Sequence, residues 1–197
     1  SAARPRTLAA LAAALAAAHA LAQAPPAPPP AEPPPTPLPA EYSDASRKAY
    51  AAGLKEAREL IAQKRYDEAI ARLDALSRER PREPQARFLK SVAQSEAGRP
   101  DDAVATLTAL AADFPEMPEV HNNLAVIYAA RGGLELAKAE LELAIAASPD
   151  YAPAVENLGD VYARLAARQY ERAAALEKGK GLAPAKLKLV RDALAVH

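Results

Sequence analysis

Small and apolar residues recur in this chain at a step far longer than any helix or strand period. Ala69, Ala103 and Ala137 are spaced by 34, and so are Leu73, Leu107 and Leu141. Leu76, Leu110 and Ala144 keep the same step, as do Pro81, Pro115 and Pro149, and Lys64, Gly98 and Gly132. Ala57, Ser91, Ala125 and Gly159 form a fourfold series of small residues, while Asn123, Leu124 and Tyr128 return as Asn157, Leu158 and Tyr162. Each leucine of the second series lies four residues after an alanine of the first, so the two share one helix face. Each period therefore predicts two helices. The small residues let the helices approach closely, and the leucines fill the space between units. Gly98 and Gly132-Gly133 allow a tight turn, and Pro81, Pro115 and Pro149 cannot continue a helix. Pro84, Pro118 and Pro153 fall near first-turn positions, where the missing N–H costs nothing. Together these signals predict helices at about 44–63, 66–80, 84–97, 100–113, 118–131 and 134–147.

A 34-residue repeat of this composition resembles the tetratricopeptide repeat (TPR) family. The third unit carries the fullest match, with Asn123-Leu124-Ala125, Tyr128, Gly132, Ala137, Leu141, Ala144 and Pro149. The first two units are weaker: Gln94 stands where the family usually has an aromatic residue, and Lys90 where it has a large apolar one. The implied fold is all-α, an α-solenoid of stacked antiparallel helix pairs closed by a C-terminal capping helix. The units fall at about 50–83, 84–117, 118–151 and 152–183, inside a domain spanning 42–197.

The fourth unit breaks the pattern. No glycine follows Tyr162 where the turn should fall, and Tyr170 and Ala173, which resemble the usual second-helix pair, come two residues late. Either a tight turn survives near 166–168, or one unbroken helix runs from about 154 to 177; the Ala, Arg, Gln and Glu there are good helix formers and favour the second reading. Gly179 and Gly181 end it, and 184–196 forms an amphipathic cap with Leu187, Val190 and Leu194 on one side.

The chain before residue 42 reads differently. Arg4 and Arg6 precede an uncharged Leu/Ala run over 7–22 that ends in small residues, the pattern of a secretory signal peptide with cleavage after Ala22. The run of about 16 residues is short for a membrane span, which needs about 20. A soluble Ala/Leu helix is the alternative. Residues 23–41 then form a Pro-rich disordered spacer; ten prolines between 25 and 39 exclude helix and sheet and favour polyproline II, roughly 45 Å long. A ligand for a proline-binding module is the other reading of that segment. The expected location is periplasmic or otherwise exported, with no stable membrane span once the signal is removed.

Composition narrows the chemistry. The 197 residues carry 25 Lys+Arg and 25 Asp+Glu, so nothing favours sequence-independent nucleic-acid binding. With no cysteine there is no disulfide, thiolate metal site or lipoprotein anchor to expect. His19, His121 and His197 are too few for a zinc site, no nucleophile elbow or phosphate loop is present, and Glu140 and Glu142 read as a solvated helix face. No cofactor, metal or catalysis is expected. The neutral total hides blocks. Residues 42–100 hold 13 basic and 9 acidic side chains, 101–160 hold 2 and 11, and 161–197 hold 8 and 3.

In the family, the first helix of each unit lines a groove that holds an extended peptide or a partner helix, with asparagine reading the peptide backbone. The resemblance places Asn123 and Asn157 there, with Glu119, Asn122, Glu156, Asp160 and Arg164 as neighbours; Leu54, Arg58, Phe88, Val92 and Glu96 would extend the face. The family's basic clamp for peptide C-termini is not reproduced. The sequence thus points to a protein-interaction scaffold in a cell-envelope assembly, its partner a protein or peptide of basic character. The alternative is a structural protein that associates with itself through its C-terminal helices, and a homo-oligomer is compatible with both.

Overall fold

The structure is a computed structural model that describes residues 43–195. Eight helices are present among them: α1 (Asp44–Ala62), α2 (Tyr66–Glu79), α3 (Pro84–Glu96), α4 (Pro100–Asp113), α5 (Pro118–Ala130), α6 (Leu134–Ala147), α7 (Ala152–Leu176) and α8 (Ala183–Leu194). The fold is an all-α stack of antiparallel helix pairs. The expected signal peptide and Pro-rich spacer lie outside the described residues. No described helix is long and apolar enough to cross a membrane.

Two kinds of turn alternate, and each is written in the sequence. Between the two helices of a pair, the chain passes through the left-handed region at Lys64, Gly98 and Gly132, with φ of 59°, 72° and 78°. The next N–H then reaches back five residues, from Arg65 to the Leu60 carbonyl, Arg99 to Gln94 and Gly133 to Tyr128, each at 2.9 Å. That is the helix-ending hydrogen bond of a Schellman motif. Between pairs, the N–H groups of Glu83, Met117 and Tyr151 bond the carbonyls of Arg80, Phe114 and Ser148 at 3.1–3.2 Å. Pro81, Pro115 and Pro149 therefore occupy the second position of a β-turn, where their fixed φ is suited. Pro84, Pro118 and Pro153 sit in the first turn of α3, α5 and α7.

The core is a series of clusters, one at each junction. Ala57, Ala69, Leu73 and Leu76 bury together with Ala86 and Ala93. Ala103, Leu107 and Leu110 meet Val120, Leu124 and Ile127. Ala125, Ala137, Leu141 and Ala144 meet Ala154 and Val161. The alanine and leucine series at 69/103/137 and 73/107/141 are 0–1% exposed throughout. The weak positions of the second unit are compensated by polar pairs: Thr106 donates to the buried Gln94 Oε1 at 2.8 Å, and Lys90 meets Asp74 at 2.6 Å. At the other end of the first unit, Arg80 is buried at 2% exposure. Its guanidinium bonds Glu83 at 2.7 Å and Ser46 Oγ at 3.0 Å and lies 4.8 Å from the Tyr50 ring centroid.

In the fourth unit the long-helix reading holds. α7 runs unbroken for 25 residues to Leu176, and the chain then leaves it through the left-handed region at Lys178, φ 49°, and Gly179, φ 76°. α8 folds back along its second half, through Arg191–Glu171 at 2.6 Å and Lys186 over the Tyr170 ring at 5.7 Å. Leu187, Val190 and Leu194 are half-buried and Ala183 is buried.

Candidate peptide-binding groove

The first helices of successive units lie side by side, so residues three and four apart on α3, α5 and α7 face the same channel. Three depressions run along it. The first, about 230 Å³, lies between α5 and α7, with Val126 and Ala129 on one wall and Asn157, Asp160, Val161 and Arg164 on the other. The second, about 180 Å³, lies between α3 and α5 and holds Asn123 beside Ser91, Val92, Ser95 and Glu96. Val126, half-exposed, borders both. The third, about 330 Å³, gathers Arg58, Phe88, Met117 and Glu119.

The expected site residues thus divide. Asn157, Asp160 and Arg164 come together, Asn123 lies in the adjoining depression, and Glu119 lies in the third. Glu119 also stands near Tyr151, whose hydroxyl is held above its ordinary pKa first by burial and then by that carboxylate. Glu156 sits on an exposed flank of α7. Asn122 is 7% exposed, and its Oδ1 accepts a 2.8 Å hydrogen bond from Asn157 Nδ2. Its role is therefore to fix the rotamer of Asn157 rather than to face the channel. Asn157 keeps its Oδ1 and second N–H, and an amide with both functions can pair with an extended backbone. Leu54 belongs to the core cluster of the first unit, not to the channel.

Two further groups behave differently from the sequence expectation. Glu140 is not a solvated side chain; it lies 2.8 Å from Nδ1 of the buried His121, joining α5 to α6. The groove is not uniformly acidic either, because Asp160 shares its depression with Arg164, and Glu119 shares its own with Arg58. Among the described residues, no cluster of His, Asp and Glu could hold a metal ion.

Comparison with known proteins fits this architecture. Residues 54–94 and 94–160 match tetratricopeptide repeat profiles, together more than half of the chain. No curated protein matches the sequence. Among solved structures, the first TPR of Spaghetti (RPAP3) bound to an HSP90 peptide is similar over 60% of this chain and 94% of its own, at 18% identity and a TM-score of 0.54. The Yersinia enterocolitica type III secretion chaperone SycD, in complex with a peptide of the translocator YopD, matches over 62% of this chain and 98% of its own, at 15% identity and a TM-score of 0.54. A thermophilic TPR protein of Thermus thermophilus matches over 74% of this chain and 83% of its own, at 25% identity and a TM-score of 0.55. The 34-residue period, the paired helices and the two profile matches rest on the same residues, and the chain belongs to the tetratricopeptide repeat family.

Proposed function

We propose that this protein is a non-catalytic scaffold whose groove holds an extended segment of a partner protein, in the service of a cell-envelope assembly. The observation that carries the reading is the pair of adjoining depressions holding Asn157 and Asn123, bordered by apolar Val126. Backbone-reading amides set between apolar patches suit an extended peptide, which offers a carbonyl and an N–H at each residue. The two peptide complexes among similar folds support the same use. The preferred segment carries Lys or Arg opposite Glu96 and Glu119, in keeping with 11 acidic against 2 basic side chains over 101–160. Export rests on the basic start and apolar run before residue 22, with the mature N-terminus at Gln23 or Leu21.

The test is a binding titration of the full chain with Lys/Arg-rich and Glu-rich extended peptides, at two salt concentrations. Tighter binding of the basic set, weakening with salt, is expected because exposed charges are screened within about 8 Å at physiological ionic strength. Asn123→Ala removes one amide contact, costing about 0.5–1.5 kcal/mol of binding. Asn157→Ala also strips the buried Asn122 of its donor, so its binding loss has to be separated from a loss of stability. Equal affinity for both peptide sets, unchanged by Asn123→Ala, would overturn the reading.

A further inference from the structure

α7 has three working faces, and a fourth that is only partly covered: Lys138 Nζ of α6 lies 5.9 Å over the Tyr162 ring, and Ala166 and Ala173 are half-buried. Ala154, Leu158, Val161 and Leu165 pack on the domain core. Asn157, Asp160 and Arg164 face the groove. Tyr170 and Glu171 meet α8. The remaining stripe is Val155, Gly159, Tyr162, Ala166, Gln169 and Ala173, closed by Leu176. Its steps alternate four and three residues over the length of the helix, the spacing of a coiled-coil seam. α7 itself places no charged residue on it, although it carries charges on its other sides; the one cation shown against it is Lys138 of α6, over Tyr162. Val155 is 50% exposed, Tyr162 49% and Leu176 76%, and a Cβ built on Gly159 would meet nothing within 4 Å.

The repeat itself says what belongs there. In the first unit, Ala57 of the first helix and Ala69 of the second are both at 0% exposure in one cluster; Ala125 and Ala137 are their counterparts in the third. Gly159 continues the first series, and the Tyr170/Ala173 pair reproduces Tyr66/Ala69 of α2. In the fourth unit both partners lie on one straight helix, 14 residues and about 21 Å apart. They cannot meet within one chain. An antiparallel second copy brings Gly159 of one against Ala173 of the other, and Ala166, midway between them, onto the two-fold axis. Charge favours the same orientation: antiparallel pairing sets the second half of α7, with Arg168 and Arg172, level with the partner's first half, with its Glu156 and Asp160.

We propose that this face of α7 is a homodimer seam, closed by the same face of a second copy in antiparallel register about Ala166. Such an interface is isologous and closes on itself. Asp160 and Tyr162 are two residues apart, so on a helix of 3.6 residues per turn they point about 160° apart. The groove therefore stays open in the dimer.

Sedimentation equilibrium of the full chain over the micromolar range tests the seam, with circular dichroism to show that each variant keeps its helices. Wild type is expected at twice the chain mass. Ala166→Glu and Ala166→Lys each set like charges against each other on the axis and should run at the single-chain mass. An equimolar mixture of the two should restore the doubled mass, and Ala175→Glu, exposed and off the stripe, should leave it unchanged. A monomeric wild type, a dimer indifferent to Ala166→Glu, or a mixture that stays monomeric would each overturn the proposal. So would a dimer lost equally in Ala175→Glu, which would point to charge alone.

Discussion

The third and fourth units begin with the same helix and end differently. α5 stops after 13 residues, turns at Gly132 and is answered by α6, whereas α7 passes the equivalent position at Ala166 and runs on to 25 residues. A missing glycine is not the whole reason, since the first unit turns at Lys64 with φ 59°. What α7 also lacks is a start signal for the next helix. The second helices of the first three units carry Asp67 and Glu68, Asp101 and Asp102, and Glu135 in their first turns. The equivalent positions on α7 are Gln169 and Tyr170. An acid near a helix N-terminus contributes about 0.3–1 kcal/mol. Without it, and with good helix formers on both sides, continuing the helix costs less than breaking it. A turn between helices thus needs a reason to stop and a reason to begin again.

The comparison can be broken at graded strength. The largest expected effect is at the leucines. Leu141→Ala opens a cavity at a 1% exposed site and should cost about 2–5 kcal/mol in chemical denaturation, whereas Leu176→Ala at 76% exposure should change little. Next comes overpacking: Ala137→Leu, at 0% exposure, should cost about 1–3 kcal/mol. The same change at the exposed Ala146 should cost far less, and equal melting shifts would show that the register of α6 is wrong. The turn itself is third. Gly132→Ala forces a side chain into the left-handed region and should cost about 1–2 kcal/mol. Ala166→Gly, the reverse change at the equivalent place, should cost about 0.5–1 kcal/mol as a mid-helix glycine; a gain in melting temperature would mean that α7 prefers to turn. The smallest effect is at the small-residue series. Within a single chain Gly159→Ala has open space and a helical backbone, so for the monomer it should gain about 0.5–1 kcal/mol, while Ala125→Gly should lose a similar amount.

The helices were legible because proline and glycine mark both of their ends. The boundaries of α1 to α6 fall within one residue of those read from the 34-residue step. The fused α7 was legible as the favoured of two readings, since the sequence shows both the missing turn and the good helix formers that bridge it. The site was legible only in part. The family pattern placed Asn123 and Asn157 on the channel, but whether Asn122 faces it or pairs inward depends on how α5 and α7 cross. That is set by the core alanines and leucines rather than by its neighbours in sequence. The His121–Glu140 pair escaped for the same reason: the two lie 19 positions apart, on two helices joined by a turn. Lys90 and Gln94 depart from the family pattern, and only their distant partners Asp74 and Thr106 account for them.

The burial of Arg80 gives the stack a direction in time. Its guanidinium clasps α1 through Ser46 and Tyr50, and the turn before α3 through Glu83, from inside the structure, where a charged hydrogen bond cannot be traded for water without loss. α8 is fastened by the surface pair Arg191–Glu171, 61% and 50% exposed, and buries only Ala183. In amide hydrogen exchange, α8 and the second half of α7 should therefore lose protection long before α1. The molecule has a slow end and a fast end, and the fast one is where its repeat pattern was abandoned.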